Sequence, residues 1–194
     1  MVSNPDIGSC LSRGWALYRE RPMLLTGATL LAGVVNAIAG VVPFANVITY
    51  PLSLAGLYHM VMRLERGEAT DIAQLLDGLP RFLPLVIASV LMSVLITIGI
   101  FLFVLPGLYL AIAYGFTTLN IIDRDLDFWP AMEHSRKTIT AHFWAYTGFA
   151  LVVLLIMVVA SIPFGLGLLV AIPVCLAAQY YFYLDLDDSG VTID

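Results

Sequence analysis

The residue types in this chain that could bind a metal ion are concentrated in a polar segment of its second half. Glu133 and His134 are adjacent, and His142 follows eight residues after His134. On a helix this spacing places the two histidines roughly on one side but far apart. No further ladder of carboxylates and histidines accompanies them, so we expect no metal site in this segment.

A second acidic pattern, formed by Asp123, Asp125 and Asp127, has the alternation of a calcium-binding loop. The glycine and the distal glutamate that such a loop needs do not follow, so a solvated acidic turn is the favoured interpretation. The sequence also lacks the signatures of zinc proteases, serine hydrolases, nucleotide-binding loops and intramembrane aspartate pairs. It therefore predicts a protein that is not an enzyme, with no catalytic residue and no cofactor.

The elements around these segments follow from the distribution of charge. Charged residues are confined to four polar segments, which are separated by uncharged blocks at residues 22–62, 82–122 and 138–184. At about 1.5 Å per residue, a helix of about 40 residues crosses a hydrocarbon core of about 30 Å twice. The composition, 60% hydrophobic and 12% charged, is that of a membrane protein. We predict an all-α polytopic membrane protein with six transmembrane helices in three hairpins, forming one integral domain over residues 1–194.

Helix breakers place the turns of the predicted hairpins. Pro43 and Pro163 suit tight turns in the first and third hairpins, and Gly99 or the Leu105-Pro106-Gly107 run suits the second. The predicted spans are Met23–Val42, Phe44–Met62, Leu83–Gly99, Phe101–Ile122, Phe143–Ile162 and Gly165–Leu184.

The basic residues predict the orientation. All nine lysine and arginine residues lie before the first uncharged block or between blocks. The positive-inside rule therefore places these segments and both chain termini in the cytoplasm. The alternative is a signal peptide cleaved near Ala39, but cleavage would leave one unpaired crossing and reverse the basic loops. The net charge of −5 argues against a nucleic-acid partner and against a polybasic anchor for anionic lipid.

A common spacing predicts an internal repeat with units at residues 1–66, 67–125 and 126–188. The second helix of each unit has an early proline, then a small residue and a tyrosine: Pro51, Gly56 and Tyr58; Pro106, Ala111 and Tyr114; Pro173, Ala178 and Tyr181. The prolines are candidate kinks, and the small residues, with Gly107, are candidate packing positions, because they let helices approach closely in lipid. We predict a pseudo-threefold arrangement with the proline helices innermost.

The predicted spans contain no carboxylate, lysine or arginine, which argues against an ion-coupled carrier. Asn36, Asn120 and Gln179 are costly in lipid, so we expect each to face another helix. Cys10 and Cys175 lack any CxxC partner and are expected to be free thiols.

Three polar segments have apolar residues at helical spacing and are expected to form short interfacial helices. The apolar positions are Ile7, Leu11, Trp15 and Tyr18 in the first, Ile72, Leu75, Leu76 and Leu79 in the second, and Phe128, Met132 and Ile139 in the third. Trp129-Pro130 suits the start of the third helix.

Several motifs between about residue 50 and residue 184 resemble those of the bacterial YciC-like membrane proteins, a family related to the membrane domain of some glycerophosphodiester phosphodiesterases. The motifs are Leu105-Pro106-Gly107-Leu108-Tyr109-Leu110, Asp123-Arg124, Trp129-Pro130-Ala131-Met132, Ser135-Arg136-Lys137, and Gly165 to Val170 with Ile172-Pro173. The resemblance implies a multi-pass protein of the bacterial inner membrane whose activity is unknown. It implies no phosphodiesterase chemistry, since that domain is not in the sequence.

The sequence is compatible with two main functions. The first is a non-enzymatic membrane protein that acts by association with membrane lipid, with further copies of itself or with a membrane-protein partner. The alternative is transport of a small solute or lipid along a path between the hairpins, where proline kinks free backbone carbonyl groups.

Overall fold

The computed structural model describes residues 5–42 and 45–187, which form helices and turns without any strand. The α-helices are α1 Ile7–Glu20, α2 Pro22–Ala39, α3 Ala45–Glu65, α4 Phe82–Leu102, α5 Val104–Ala113, α6 Thr117–Asp123, α7 Phe128–Ala141, α8 Phe143–Ser161 and α9 Leu168–Asp187. Two 3-10 helices, Ile72–Leu76 and Leu79–Arg81, precede α4. The all-α prediction is confirmed.

Five segments of the described chain are long and apolar enough to cross a membrane. They are Pro22–Ala39, Ile72–Leu102, Val104–Asp123, Phe143–Ser161 and Leu168–Leu186. Helix α3 is not among them, and its sequence includes the polar residues Asn46, Thr49 and His59. The chain therefore has the helix lengths and composition of a helical membrane protein.

The turn of the middle hairpin differs from the prediction. Phe103 alone is extended between α4 and α5, with φ −157° and ψ 133°. Gly99 and Gly107 lie inside the two helices instead, and a Cβ on Gly99 would lie 2.8 Å from the Cα of Gly107. These glycines let α4 and α5 approach closely, so their role is in packing and the turn falls between them.

The third hairpin turns at the predicted place. Pro163 lies between α8 and α9, and the next two residues, Phe164 and Gly165, have positive φ values of 52° and 78°. Pro43, which was expected to mark the first turn, lies outside the described residues.

The predicted span Phe101–Ile122 is not one helix. Residues 114–116 separate α5 from α6, and the helical hydrogen-bond ladder is interrupted there. The interruption lies in the protein interior, because Phe116 and Thr117 are buried.

The three hairpins are packed together at one end only. We call the end that carries the polar segments the charged end and the opposite end the turn end. In α3 the buried residues begin at Pro51 and continue to Leu64, and in α8 they are Tyr146 and Phe149, both near the charged end. In α9 burial begins at Ala171. The hydrophobic core therefore lies in the half nearest the charged end, and the hairpins are more exposed toward their turns.

The second helices of the hairpins are more buried than the first helices. In the apolar windows, 61% of the residues of α9 and 39% of those of Val104–Asp123 are buried. The corresponding shares are 22% for α2, 17% for Ile72–Leu102 and 11% for α8. The more exposed α2, α4 and α8 thus surround the more buried α5–α6 and α9, which leaves the first helices of the hairpins facing outward.

Each polar segment packs on the second helix of another hairpin. Helix α1 packs along α9, the first 3-10 helix packs on α3, and α7 packs on α5 and α6. Two of these contacts are backbone approaches at glycine: a Cβ on Gly14 would lie 2.7 Å from the Val174 carbonyl oxygen, and one on Gly56 would lie 2.6 Å from the Cα of Leu75. The contacts form a cycle in which α1 closes the ring onto the last helix.

Helix α1 turns inward three of the four predicted apolar positions, since Tyr18 is buried and Ile7 and Leu11 pack against the core, but Trp15 lies outside. Its buried residues are Cys10, Gly14, Leu17 and Tyr18, whereas the indole of Trp15 is 47% exposed and stacks on Tyr18. The close approach to α9 requires the small Gly14 at the interface, and this turns the larger Trp15 outward.

Replacing Gly14 by valine should separate α1 from α9. Because the new side chain would overlap the backbone at Val174 and Ala178, we expect the free energy of unfolding to fall by about 1–3 kcal/mol. Thermal unfolding of the protein purified in detergent measures this change.

The matched control is Gly8→Ala in the same helix, where a Cβ meets only the Asp6 carboxylate at 3.5 Å. Alanine favours a helix over glycine by about 1 kcal/mol, so this variant should be unchanged or more stable. Equal stability of Gly14→Val and the unaltered chain would contradict the proposed α1–α9 contact.

Candidate functional site

The amide of Asn36 joins α2 to α3. Its Nδ2 donates to the Ser53 hydroxyl at 2.9 Å and to the Ala32 carbonyl at 2.8 Å. The Thr49 hydroxyl donates to the Oδ1 atom of Asn36 at 3.0 Å. Asn36 therefore faces another helix, and its hydrogen-bonding groups are satisfied within the first hairpin.

Gln179 lies at the gap between α5 and α6. Its Nε2 donates to the carbonyl oxygen of Gly115 at 2.8 Å and to the hydroxyl oxygen of Tyr146 at 3.1 Å. One side chain of α9 thus contacts both the interrupted helix and α8. An uninterrupted helix would bond the Gly115 carbonyl to one of its own N–H groups. Here the bond from Gln179 replaces it and links the second and third hairpins.

Ser135 bonds the other side of the same gap. Its hydroxyl donates to the Ala113 carbonyl at 2.8 Å and accepts a hydrogen bond from the Phe116 backbone N–H at 3.0 Å. Ser135 is fully buried on α7. The backbone groups released by the gap are therefore bonded to side chains of α7 and α9, as a break inside a membrane protein requires.

The gap is shaped by the ring of Tyr146. A Cβ on Gly115 would lie 2.7 Å from Cζ of that ring and would overlap its hydroxyl oxygen. Only glycine fits there. The sequence analysis did not predict the contacts of Gly115, Ser135 and Tyr146. A glycine inside a predicted helix, such as Gly115, is nevertheless a recognised sign of close packing.

Asn120 attaches α6 to α7. It is fully buried, and its Nδ2 donates to the Ala131 carbonyl at 3.1 Å. Its Oδ1 is buried with no hydrogen-bond partner among the described residues. All three amides singled out in the sequence therefore contact a second helix.

The three repeated prolines occupy different environments. Pro51 and Pro173 lie inside α3 and α9 and are buried. Pro106 is the third residue of α5 and is exposed. A helix has no internal partner for the N–H group at that position, so Pro106 needs no kink to be accommodated.

The small residues of the repeat also differ. Gly56 contacts the first 3-10 helix and Ala178 contacts α1, and both are buried. Ala111 is exposed, and Ala113 takes the buried position in α5. The middle unit therefore departs from the spacing of the other two, since α5 ends at Ala113 and its buried face turns toward α7.

A polar network joins α3, α6 and α9 at the charged end. Arg124 Nε donates to the Tyr183 hydroxyl oxygen at 2.8 Å, and that hydroxyl donates to Asp123 Oδ2 at 3.3 Å. Arg66 pairs with Asp123 Oδ1 at 3.3 Å. Arg66 is half exposed, so the ion pair contributes only about 0–1 kcal/mol, but its partners fix which helix ends meet.

The possible metal ligands of the third polar segment are engaged otherwise. Arg136 donates to both carboxylate oxygens of Glu133, at 2.9 and 2.7 Å, and these bonds lower the pKa of Glu133. His142 is buried at the end of α7, where Nδ1 lies 3.4 Å from the Thr138 carbonyl oxygen. Among the described residues, no group of three histidine, cysteine, aspartate or glutamate side chains could hold a metal ion.

Two cavities among the described residues lie between the hairpins and are large enough to admit a ligand. The first, of about 330 Å³, lies between α2, α3 and α4 and has the polar lining residues Asn36, Asn46, Tyr50, Ser89 and Ser93. The second, of about 310 Å³, lies between the first and third hairpins, and its wall is mainly apolar. Asn36 and Tyr50 line both cavities. A third, of about 210 Å³, lies between α2, α3 and the 3-10 helices.

Replacing Gln179 by leucine should weaken the contact between hairpins. The Gly115 carbonyl would lose its bond to Nε2, so we expect the free energy of unfolding to fall by about 1–3 kcal/mol. Tyr146→Phe is the control, because it leaves that carbonyl bonded and should cost only about 0.5–1.5 kcal/mol. Chemical denaturation in detergent measures both, and a larger loss in Tyr146→Phe would argue against this assignment.

The thiol of Cys10 offers a test of the α1–α9 contact that depends on pH. Cys10 and Cys175 are both free, and Cys10 lies on α1, outside the candidate spans. Burial, together with the Asp185 carboxylate 3.5 Å from Sγ, raises the pKa of Cys10 to about 11. The thiolate is the reactive form, so alkylation at pH 8 should be slow.

Asp185→Asn removes the negative charge that favours the protonated thiol. The pKa of Cys10 should fall, although burial keeps it above its ordinary value, and alkylation by iodoacetamide at pH 8 should become faster. Mass spectrometry of the labelled protein, with Cys10→Ser to identify the site, measures the rates. Equal rates in the two proteins would show that Asp185 does not act on this thiol.

Comparison with protein-family models, curated proteins and solved structures gave no match for this chain. The resemblance of its motifs to the YciC-like family stays a prediction.

Proposed function

We propose that the chain is a multi-pass protein of the bacterial inner membrane with six crossings and both termini in the cytoplasm. Helix α3 supplies the sixth crossing, since it packs along α2 as the return arm of the first hairpin. The distribution of basic residues supports the orientation, because the described lysine and arginine residues all belong to the polar segments.

The cycle of packing supports a pseudo-threefold repeat. In each proposed unit the polar segment contacts the second helix of the preceding unit, and α1 contacts α9 to complete the cycle. A chance similarity in the spacing of residues would not place three polar segments against equivalent helices. Gly56 and Ala178 occupy corresponding contacts in two of the units, which accounts for their common distance from a proline.

We infer that the protein acts by association and is not an enzyme. The observation that carries this inference is the exposed apolar surface of the turn half, where the hairpins separate. Large apolar side chains there are widely exposed, among them Ile38 at 66%, Phe101 at 88% and Ile162 at 76%. Lipid, another copy or a membrane-protein partner can cover such a surface.

Transport is the second candidate, and the two cavities are the observation that favours it. Both reach Asn36 and Tyr50, where a solute would find polar groups. The break between α5 and α6 gives it no support, however, because the carbonyls of Ala113 and Gly115 are bonded to Ser135 and Gln179. No freed carbonyl at the break is left to coordinate a solute.

Native mass spectrometry of the protein in patches of its own membrane tests the association. We expect a defined oligomer, a stoichiometric protein partner or a retained lipid. A bare monomer that retains nothing would contradict the proposal. Flux of ions, solutes or lipid in liposomes, lost on replacing Pro51, Pro106 and Pro173 by alanine, would favour transport instead.

A further inference from the structure

We propose that the two cavities form one binding site for an uncharged, single-chain amphiphile of the membrane, such as a monoacylglycerol. Its polar group would lie in the first cavity and its acyl chain in the second. This inference rests on the proposed function, since it names the class of lipid with which the protein associates.

The first cavity offers several uncharged hydrogen-bonding groups. Asn46 Oδ1 accepts only a long bond of 3.4 Å from Thr49, and Tyr50 is 61% exposed with no described residue bonded to its hydroxyl. Ser89 and Ser93, one turn apart on α4, complete the polar side; the Ser93 hydroxyl donates to the Ser89 carbonyl at 2.7 Å and can still accept a bond from a ligand. A ligand with hydroxyl or ester groups can donate to and accept from such a wall.

The charge of the wall distinguishes among lipid head groups. None of the described residues that line either cavity is charged. A phosphate placed there would lose its hydration without gaining a cation, which is costly in a site of low polarity. An uncharged head group suffers no such loss, so the site should prefer a glycerol ester to a phospholipid with the same chain.

The second cavity has the lining that an acyl chain needs. Leu54, Leu57, Met157, Ile172 and Leu176 line it from three helices. A chain that enters this cavity from the membrane gains van der Waals contact with its wall, and methionine adapts to irregular apolar shapes. The cavities are small, at about 330 and 310 Å³, so the site suits one chain rather than two.

Gly33 keeps the second cavity open. It lines the cavity on α2, and a Cβ added to it would meet no atom within 4 Å. No neighbouring atom requires glycine there, and glycine is less favourable than alanine in a helix interior. The space that Gly33 leaves is therefore available to a ligand, and a larger side chain can fill it without displacing the backbone.

The test is binding of 1-monooleoylglycerol to the full chain in detergent, followed by native mass spectrometry. Oleoyl lysophosphatidylglycerol, which has the same chain and a phosphate, is the comparison ligand. We expect the uncharged ligand to bind at least tenfold more tightly. Gly33→Leu should weaken its binding at least tenfold, because the leucine side chain occupies the acyl cavity.

Two further variants keep the test independent of stability. Ala37→Leu places the same leucine side chain one turn away on α2, at an exposed position outside both linings, and should bind like the unaltered chain. Tyr50→Phe removes only a hydroxyl and should weaken binding several-fold. Far-ultraviolet circular dichroism and elution volume show whether each variant is folded.

Equal binding of the two ligands, or unchanged binding in folded Gly33→Leu, would overturn the proposed site. If Gly33→Leu does not fold, unchanged binding in Tyr50→Phe overturns it. If monooleoylglycerol fails to bind, the proposed site is wrong. An oligomer or a protein partner found in membrane patches would still support the association. The two proposals therefore fail separately.

Discussion

The interruption between α5 and α6 is the constraint on which the packing of the interior depends. Lipid cannot solvate a free carbonyl or N–H group, so every group released by the break needs a partner within the protein. Ser135 and Gln179 supply these partners from α7 and α9. Because the two residues come from different helices, bonding the break also fixes how the middle and third hairpins are placed. Tyr146, packed over Gly115, adds α8 to the same arrangement.

Close approach of helices at small residues replaces the hydrophobic effect over much of the rest of the molecule. Lipid is as apolar as leucine, so helices gain little by excluding it and must gain from contact at short range. Gly14 against α9 and Gly99 against Gly107 are contacts of this kind. They explain why glycines lie within helices, where their low helix propensity would otherwise be unfavourable.

The sequence predicted the helical class and most helix positions, because the uncharged blocks and their length leave few alternatives in a bilayer. It did not predict the turn at Phe103 or the break at residues 114–116. Both lie in blocks where nearly every residue is apolar, so no periodicity distinguishes a buried face from a lipid-facing one. Asn36, Asn120 and Gln179 were recognisable, since an amide in lipid needs a partner, but the identity of each partner depends on tertiary packing.

The hairpins pack closely at the charged end and are more exposed toward the turn end, so the two ends differ in the space that they leave for a ligand. At the charged end the polar segments pack against the second helices of the hairpins, and Phe116, Tyr146 and Phe182 form an aromatic cluster there. Toward the turn end, the contacts within the hairpins include the hydrogen bonds of Asn36 to α3 and the approach of Gly99 to Gly107. Space for a ligand therefore exists where the chain supplies no filling of its own. All three hairpins bound that space, so a molecule bound there would contact each of them. Binding would therefore favour one separation of the hairpins, and ligand occupancy and hairpin separation would be thermodynamically linked.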